Sequence, residues 1–172
     1  RLVVGSVRSR SGEGTLLGAA RATIAATLAT DANYNVVSVD YGLTVRQATY
    51  ILSACADVSR TFGDGTSRQT AEGGSGTGAV TYASSAVSVA TVNSSTGEVT
   101  IVGADSATIT ATRAADANYN AVSDDYVLTV SKATDTLNAG ADVSKTFGDG
   151  NYTPTATGGS GTGAVTYSSS AV

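Results

Sequence analysis

Histidine, methionine and tryptophan are absent from the 172 residues, and cysteine and proline occur once each, as Cys55 and Pro154. Without histidine no Ser-His-Asp or Cys-His relay can be assembled, and the commonest metal-ligating side chain is missing. One cysteine cannot close an internal disulfide or build a zinc site, both of which need several ligands at set spacings. Lysine and arginine number 10 against 14 aspartates and glutamates, giving a net charge of −4 and a pI near 4.6. That balance argues against nucleic acid as a partner, because phosphates are met by clustered basic residues. No apolar run approaches the roughly 20 residues that span a bilayer, so no membrane span is expected. The chain starts at Arg1 with no signal-peptide pattern and reads as a mature product or an excerpt of something longer. These absences together point away from an enzyme.

What is present is mostly small. Ala, Thr, Ser and Gly fill more than half of the chain, yet 41% of it is apolar and only 14% charged. Disordered chains combine low hydrophobicity with high net charge, so this composition still folds. The chain also repeats itself at an offset of 85 residues without a gap, and 55 of the 87 aligned pairs are identical. Asp31-Ala32-Asn33-Tyr34-Asn35 recurs at 116–120, Thr61-Phe62-Gly63-Asp64-Gly65 at 146–150, and Gly73 to Tyr82 at 158–167. A period of 85 is too long for a solenoid turn and long enough for a small domain with its own core. The polar junctions Arg46-Gln47-Ala48 and Ser131-Lys132-Ala133 divide the chain into three parts. These are the C-terminal half of a repeat (1–46), a complete repeat (47–131) and the N-terminal half of the next (132–172). Neither junction carries a Pro run or a Gly/Ser spacer, which predicts closely coupled domains and a stiff rod.

Within 47–131 the period is that of strands. Val87 to Val92 alternates, predicting Val87, Val89 and Thr91 on one face and Ser88, Ala90 and Val92 on the other. Asn93 to Gly97 is a turn cluster, and Glu98 to Val102 and Ala107 to Thr112 alternate again. Thr, Val, Ile and Tyr suit a pleated, half-buried surface. Segments near 52–62, 67–72, 78–83 and 122–130 bring the count to about seven short strands. The expectation is an all-β chain of antiparallel sandwiches. Leu16 to Ala29 is Ala-rich, but its partner Ile101 to Ala114 is β-patterned, so a strand is expected there too.

Ser88 to Val92, the Ser/Thr/Gly turn, Glu98 to Ala104 and Ser106 to Thr112 together resemble a bacterial immunoglobulin-like domain of the group 2 type and its relatives. Such domains are repeated in tandem in large secreted surface proteins. The resemblance implies tandem immunoglobulin-like β-sandwich repeats outside the cell, in an adhesin, matrix or stalk protein, and carries over no catalytic residues. The first half-repeat departs from the pattern: Gly14 stands where Val99 does, and Arg8, Arg10 and Arg21 replace Asn93, Ser95 and Ser106.

Several motifs invite chemistry. The Gly-rich run 73–78 lacks the Lys-Ser/Thr ending and the strand-to-helix setting of a phosphate loop, and reads as an inter-strand loop. Asp31-x-Asn33-x-Asn35 and its copy start like a Ca²⁺ loop, but Val36 and Gly42, or Ala121 and Val127, occupy the positions that need Gly and Glu. A turn held by Asp and Asn side chains, with Tyr34 or Tyr119 plugging the sandwich end, is the simpler reading. An inter-domain Ca²⁺ site drawn from Asp116, Asp124 or Asp125 is the other; no other metal and no cofactor is expected. Gly63-Asp64-Gly65 and Gly148-Asp149-Gly150 read as turns. Lys132 and Lys145 align with Gln47 and Arg60, which opposes a repeated Lys–Asn crosslink, and Cys55 aligns with Gly140.

The functional expectation is a structural protein: a stiff extracellular filament, stalk or matrix fibre at a bacterial cell surface. Its partners are neighbouring copies or repeats of itself, head to tail. A covalent array is the simpler form; completion of half-repeats between chains is the other. The alternative function is an adhesin module that binds glycan or protein ligands at a surface.

Overall fold

The computed structural model describes residues 14–170. Among them there are nine strands and no helix. The chain divides between Ser131 and Lys132 into two units.

In the first unit, β1 (Ala20–Leu28) and β2 (Val37–Val45) form an antiparallel hairpin. The Ala-rich stretch is therefore strand, as its repeat partner indicated. Beyond it lie β3 (Val58–Thr61), β4 (Ser67–Arg68), β5 (Val80–Ser84), β6 (Ala90–Val92), β7 (Glu98–Ile101), β8 (Asp105–Arg113) and β9 (Val122–Ser131). They make a four-stranded sheet in the order β3-β9-β8-β5 and a three-stranded sheet in the order β4-β7-β6. All pairs are antiparallel except β3 with β9. This arrangement is consistent with an immunoglobulin-like β-sandwich.

The core follows from strand alternation. Ala107, Ile109 and Ala111 on β8, and Tyr126, Leu128 and Val130 on β9, are buried, while Thr108, Thr110, Val127 and Thr129 between them are not. Val89, Ala90 and Val99 meet this face from the other side, and Leu52 with Tyr82 closes a second cluster around Ala111. Ile109, Leu128 and Val99 are fully enclosed, each contributing roughly 1.5–3 kcal/mol of apolar burial. Burial pushes the Tyr126 phenol above its ordinary pKa.

The alternation expected over 87–92 is interrupted. Val89 and Ala90 are both buried and Val87 is exposed, which a single strand cannot achieve. The amides of Val89 and Ala90 instead both donate to the Ala86 carbonyl, so residues 86–90 form a turn and only Ala90–Val92 is strand. The turn after β6 is as expected: Asn93 Oδ1 accepts from the amides of Ser95 and Thr96, and Gly97 takes φ +71°. A Cβ on Gly97 would sit 2.8 Å from the Gln69 carbonyl oxygen, so both the dihedral and the space call for glycine.

β1–β2 and β8–β9 pair in the same register 85 residues apart. Ala20↔Val45 through Leu28↔Val37 corresponds to Asp105↔Val130 through Arg113↔Val122. Even the cross-strand hydroxyl pair recurs, Thr27–Ser38 at 2.9 Å and Thr112–Ser123 at 2.8 Å.

The second unit contains no strand ladder among its described residues, only the isolated bridge Asn138↔Thr157. Its two hydrogen bonds, 2.7 and 2.8 Å, match those of Ser53↔Glu72 in the first unit. Tyr167 OH accepts from the Ala156 amide as Tyr82 OH does from Ala71.

Candidate functional site

The side chains with the most directed bonding cluster at one end of the four-stranded sheet, where β5 begins, β8 ends and β9 begins. The Asp-Ala-Asn-Tyr-Asn segment lies there. Asp116 Oδ1 accepts from the amides of Asn118 (2.8 Å) and Tyr119 (2.9 Å), which folds the segment into a turn. Its Oδ2 accepts from the Thr77 amide at 2.6 Å and from the Thr77 hydroxyl at 3.2 Å. These amides, Thr77 first and then Asn118, hold the Asp116 carboxyl below the usual carboxylate range.

The Gly-rich run 73–78 is thus an inter-strand loop, held from three sides. Asp116 takes Thr77, and Arg113 donates from Nη1 to the Gly76 carbonyl (2.7 Å) and from Nη2 to that of Gly73 (3.3 Å). The Tyr50 ring lies against Gly74 so closely that a Cβ there would fall inside the ring edge. Tyr119, half-buried, meets Tyr50 edge to face at 5.4 Å.

The same cluster grips the linker after β2. Gln47 Nε2 donates to the Asp116 carbonyl at 2.6 Å. The Ala48 amide donates to the Asn118 carbonyl (2.8 Å), and the Asn120 amide donates to the Ala48 carbonyl (3.0 Å). Asn118 Oδ1 accepts from the Ala19 amide at 2.9 Å, just before β1. Four hydrogen bonds therefore join the β1–β2 hairpin and its flanks to the end of the sandwich. Sequence reasoning identified the Asp116 turn with its asparagines but missed Gln47, Tyr50 and Arg113 as partners of the cluster. Only the turn was legible, since its Asp and Asn recur; Tyr50 aligns with Asp135 and Arg113 with Leu28, so neither recurs.

The other copies of these motifs are held differently. Asp31 makes the same turn through the amides of Asn33 and Tyr34, but Tyr34 is 73% exposed and plugs nothing. In the second unit Asp135 accepts from Gly161 (2.7 Å), Ser160 and Thr136, which lowers its pKa, with Gly161 the largest contributor. The two Gly-Asp-Gly turns agree: Asp64 accepts from the Thr61 amide and Asp149 from Thr146, with Gly63 and Gly148 at φ +95° and +98°.

Asp116, Asp124 and Asp125 are not gathered on one ion. Asp116 is occupied in its turn, and Asp124 and Asp125 follow each other on β9 and so point to opposite faces. Asp124 Oδ2 accepts from the Ala54 amide at 2.8 Å. Among the described residues no group of three or more His, Cys, Asp or Glu side chains comes together. Cys55 is a free thiol donating to the Thr70 carbonyl.

Residues 63–115 match the family of the intimin immunoglobulin-like domain. The matched stretch holds β4 through β8, which includes most of the core and the loop held by Arg113. The resemblance to a bacterial immunoglobulin-like domain, read from residues 88–112, is therefore shown for this stretch, and it suggests a bacterial surface protein of the adhesin type. No curated protein matches the chain. Among the described residues no helix is long and apolar enough to cross a membrane.

Proposed function

We propose that the chain is a non-catalytic structural segment of a bacterial surface protein, built from tandem immunoglobulin-like repeats of 85 residues that form a stiff extracellular filament, stalk or matrix fibre. The complete repeat is 47–131, with 1–46 and 132–172 belonging to its neighbours. The observation that carries the reading is the gripped linker. Hydrogen bonds from Gln47 and Ala48 to the 116–120 turn, and from Ala19 to Asn118, leave little free chain between one hairpin and the next sandwich. A junction held this way resists swing, whereas a free linker behaves as a coil. Small-angle scattering on covalent arrays of two, three and four copies of 47–131 tests it. A maximum dimension that grows linearly with copy number supports a rod; growth as the square root of copy number overturns it.

An adhesive role is favoured by one observation. Phe62, beside the Gly63-Asp64-Gly65 turn, is 49% exposed although the sandwich around it is complete. An exposed aromatic ring at a turn is a contact surface for sugar or protein. Retention of cell-surface binding in Phe62→Ala removes this reading.

A further inference from the structure

We infer that consecutive repeats are joined by a two-point clasp. The chain itself at Arg46 is one tie; the Asn118 side chain, closed on the Gly18-Ala19 backbone of the preceding repeat, is the other. Gly103-Ala104 is then the surface on which a following repeat seats its own Asp-Ala-Asn-Tyr-Asn turn. The inference deepens the proposed function and rests on its reading of the 85-residue repeat, to which it adds the partner and the contact.

The bonds around the linker differ in kind. Gln47 and Ala48 bond to the 116–120 turn within one repeat and fix where the chain enters it. The bond from the Ala19 amide to Asn118 Oδ1, 2.9 Å, crosses from one repeat to the next. In the hairpin register Ala20 faces Val45, so Ala19 lies beside Arg46 and both ties leave the same end of β1–β2. A body held at one point can swing and twist about it in every direction. Held at two, it keeps only rocking about the line that joins them. Asn118 is thereby the residue that fixes the twist of one sandwich relative to the next.

The Asp116 turn does not need that side chain. It uses the Asn118 main chain, whose amide donates to Asp116 Oδ1 and whose carbonyl accepts from Ala48. Among the described residues the side chain bonds Ala19 alone. It also requires bare backbone opposite, since a Cβ on Gly18 would lie 2.9 Å from Asn118 Oδ1.

The complete repeat carries both halves of the clasp. Asn118 stands at the end where the chain enters, and Gly103-Ala104 repeats Gly18-Ala19 at the end where it leaves. Asp105 faces Val130, so Ala104 lies beside Ser131 as Ala19 lies beside Arg46. Gly-Ala and the Asp-Ala-Asn-Tyr-Asn run are identical in the two copies, whereas Tyr50 and Arg113, which act within one repeat, are not retained. One head-to-tail contact repeated with one geometry turns every repeat by the same angle, which makes the rod helical.

Amide exchange tests the inference in the 172-residue chain and in the same chain extended after Val172 by a second copy of 88–131. The extension continues the period through another Asp-Ala-Asn-Tyr-Asn turn. In the 172-residue chain Asn118→Ala speeds exchange at Ala19 roughly three- to tenfold, the effect of one net hydrogen bond, and leaves the melting temperature unchanged. Asn118→Asp keeps an oxygen acceptor at the same place and keeps the protection. In the extended chain Ala104 is slowed by the same factor, and Asn118→Ala made in the appended copy alone releases Ala104 without touching Ala19. Unchanged exchange at Ala19 in Asn118→Ala, or an Ala104 amide that exchanges at one rate in both chains, overturns the inference. If the appended copy of β8–β9 shows no slow amides, the 85-residue repeat is itself wrong and the clasp falls with it. Linear growth of the covalent arrays beside an unslowed Ala104 removes only the clasp, and square-root growth beside a slowed Ala104 removes only the rod.

Discussion

Two hairpins of this molecule share strand register, cross-strand hydroxyl pair and six inward side chains, yet one is core and the other surface. β8–β9 buries Ile109 and Leu128 to 1% exposure, while β1–β2 leaves Val37, Val39 and Tyr41 more than half exposed. Backbone pairing is therefore specified locally, by alternation and by the Asp turn between the strands. Burial is specified by what covers the pair. At three places the copies differ in ways that bear on the cover. Asp124, which holds the Ala54 amide, is replaced by Val39; Arg113, which holds the 73–78 loop, by Leu28; and the enclosed Val99 by Gly14. Each change removes an attachment that the complete sandwich has.

The sharpest way to break the comparison is to truncate the same side chain in both copies. Leu128→Ala leaves a cavity in a closed core and is expected to cost about 2–5 kcal/mol. Leu43→Ala, at the half-buried counterpart, is expected to cost less, about 1–2 kcal/mol of folding stability. Urea melts of the two variants measure both; equal losses would mean that the hairpins are equally covered.

A glycine pair gives the next largest effect. A Cβ on Gly78 would fall 1.9 Å from the Ala114 carbonyl oxygen, whereas one on Gly163 meets nothing within 4 Å. Gly78→Ala must displace backbone and is expected to cost about 1–3 kcal/mol, while Gly163→Ala leaves melting unchanged within ~0.5 kcal/mol.

Much of this was legible in the residues. The all-β class, the strand over the Ala-rich stretch and the Asp116 turn follow from alternation, from the 85-residue offset and from Asx-turn chemistry, all of which are local. The seven strands of 47–131 likewise follow turn spacing. What escaped was a local turn inside an alternating stretch and a set of non-local contacts. Val89 and Ala90 are buried together because the amides of both turn back to Ala86, a contact that alternating Val and Ser do not announce. Tyr50 and Arg113 could not be read as partners of the glycine loop, because no spacing links residue 50 or 113 to residue 74. The linker grip depends on Gln47 reaching a carbonyl 69 residues away.

The smallest expected effect concerns the two glycine loops and their carboxylates. Asp116 holds 73–78 from another strand connection, and Asp135 holds 158–161 from within its own unit. Amide donation depresses both pKa values below the unfolded one, so each contributes stability that is fully present above about pH 3.9, the unfolded value, and is lost as pH falls through the folded one. Asp135 is exposed and Asp116 only half-buried, so both contributions are small and screened by salt. Amide exchange at Thr77 and Gly161 is expected to accelerate as pH falls through the folded-state pKa of each carboxylate, below about 3.9, relative to amides of the β8–β9 ladder under the same conditions. Asp116→Asn abolishes the pH step at Thr77 and leaves that at Gly161, because the two loops share no carboxylate. The melting temperature at neutral pH stays unchanged by a Ca²⁺ chelator, since the lone pairs of Asp116 are directed at amides rather than at a shared ion. A chelator-dependent step at Thr77 alone would put a cation, not the Thr77 amide, at the centre of this turn.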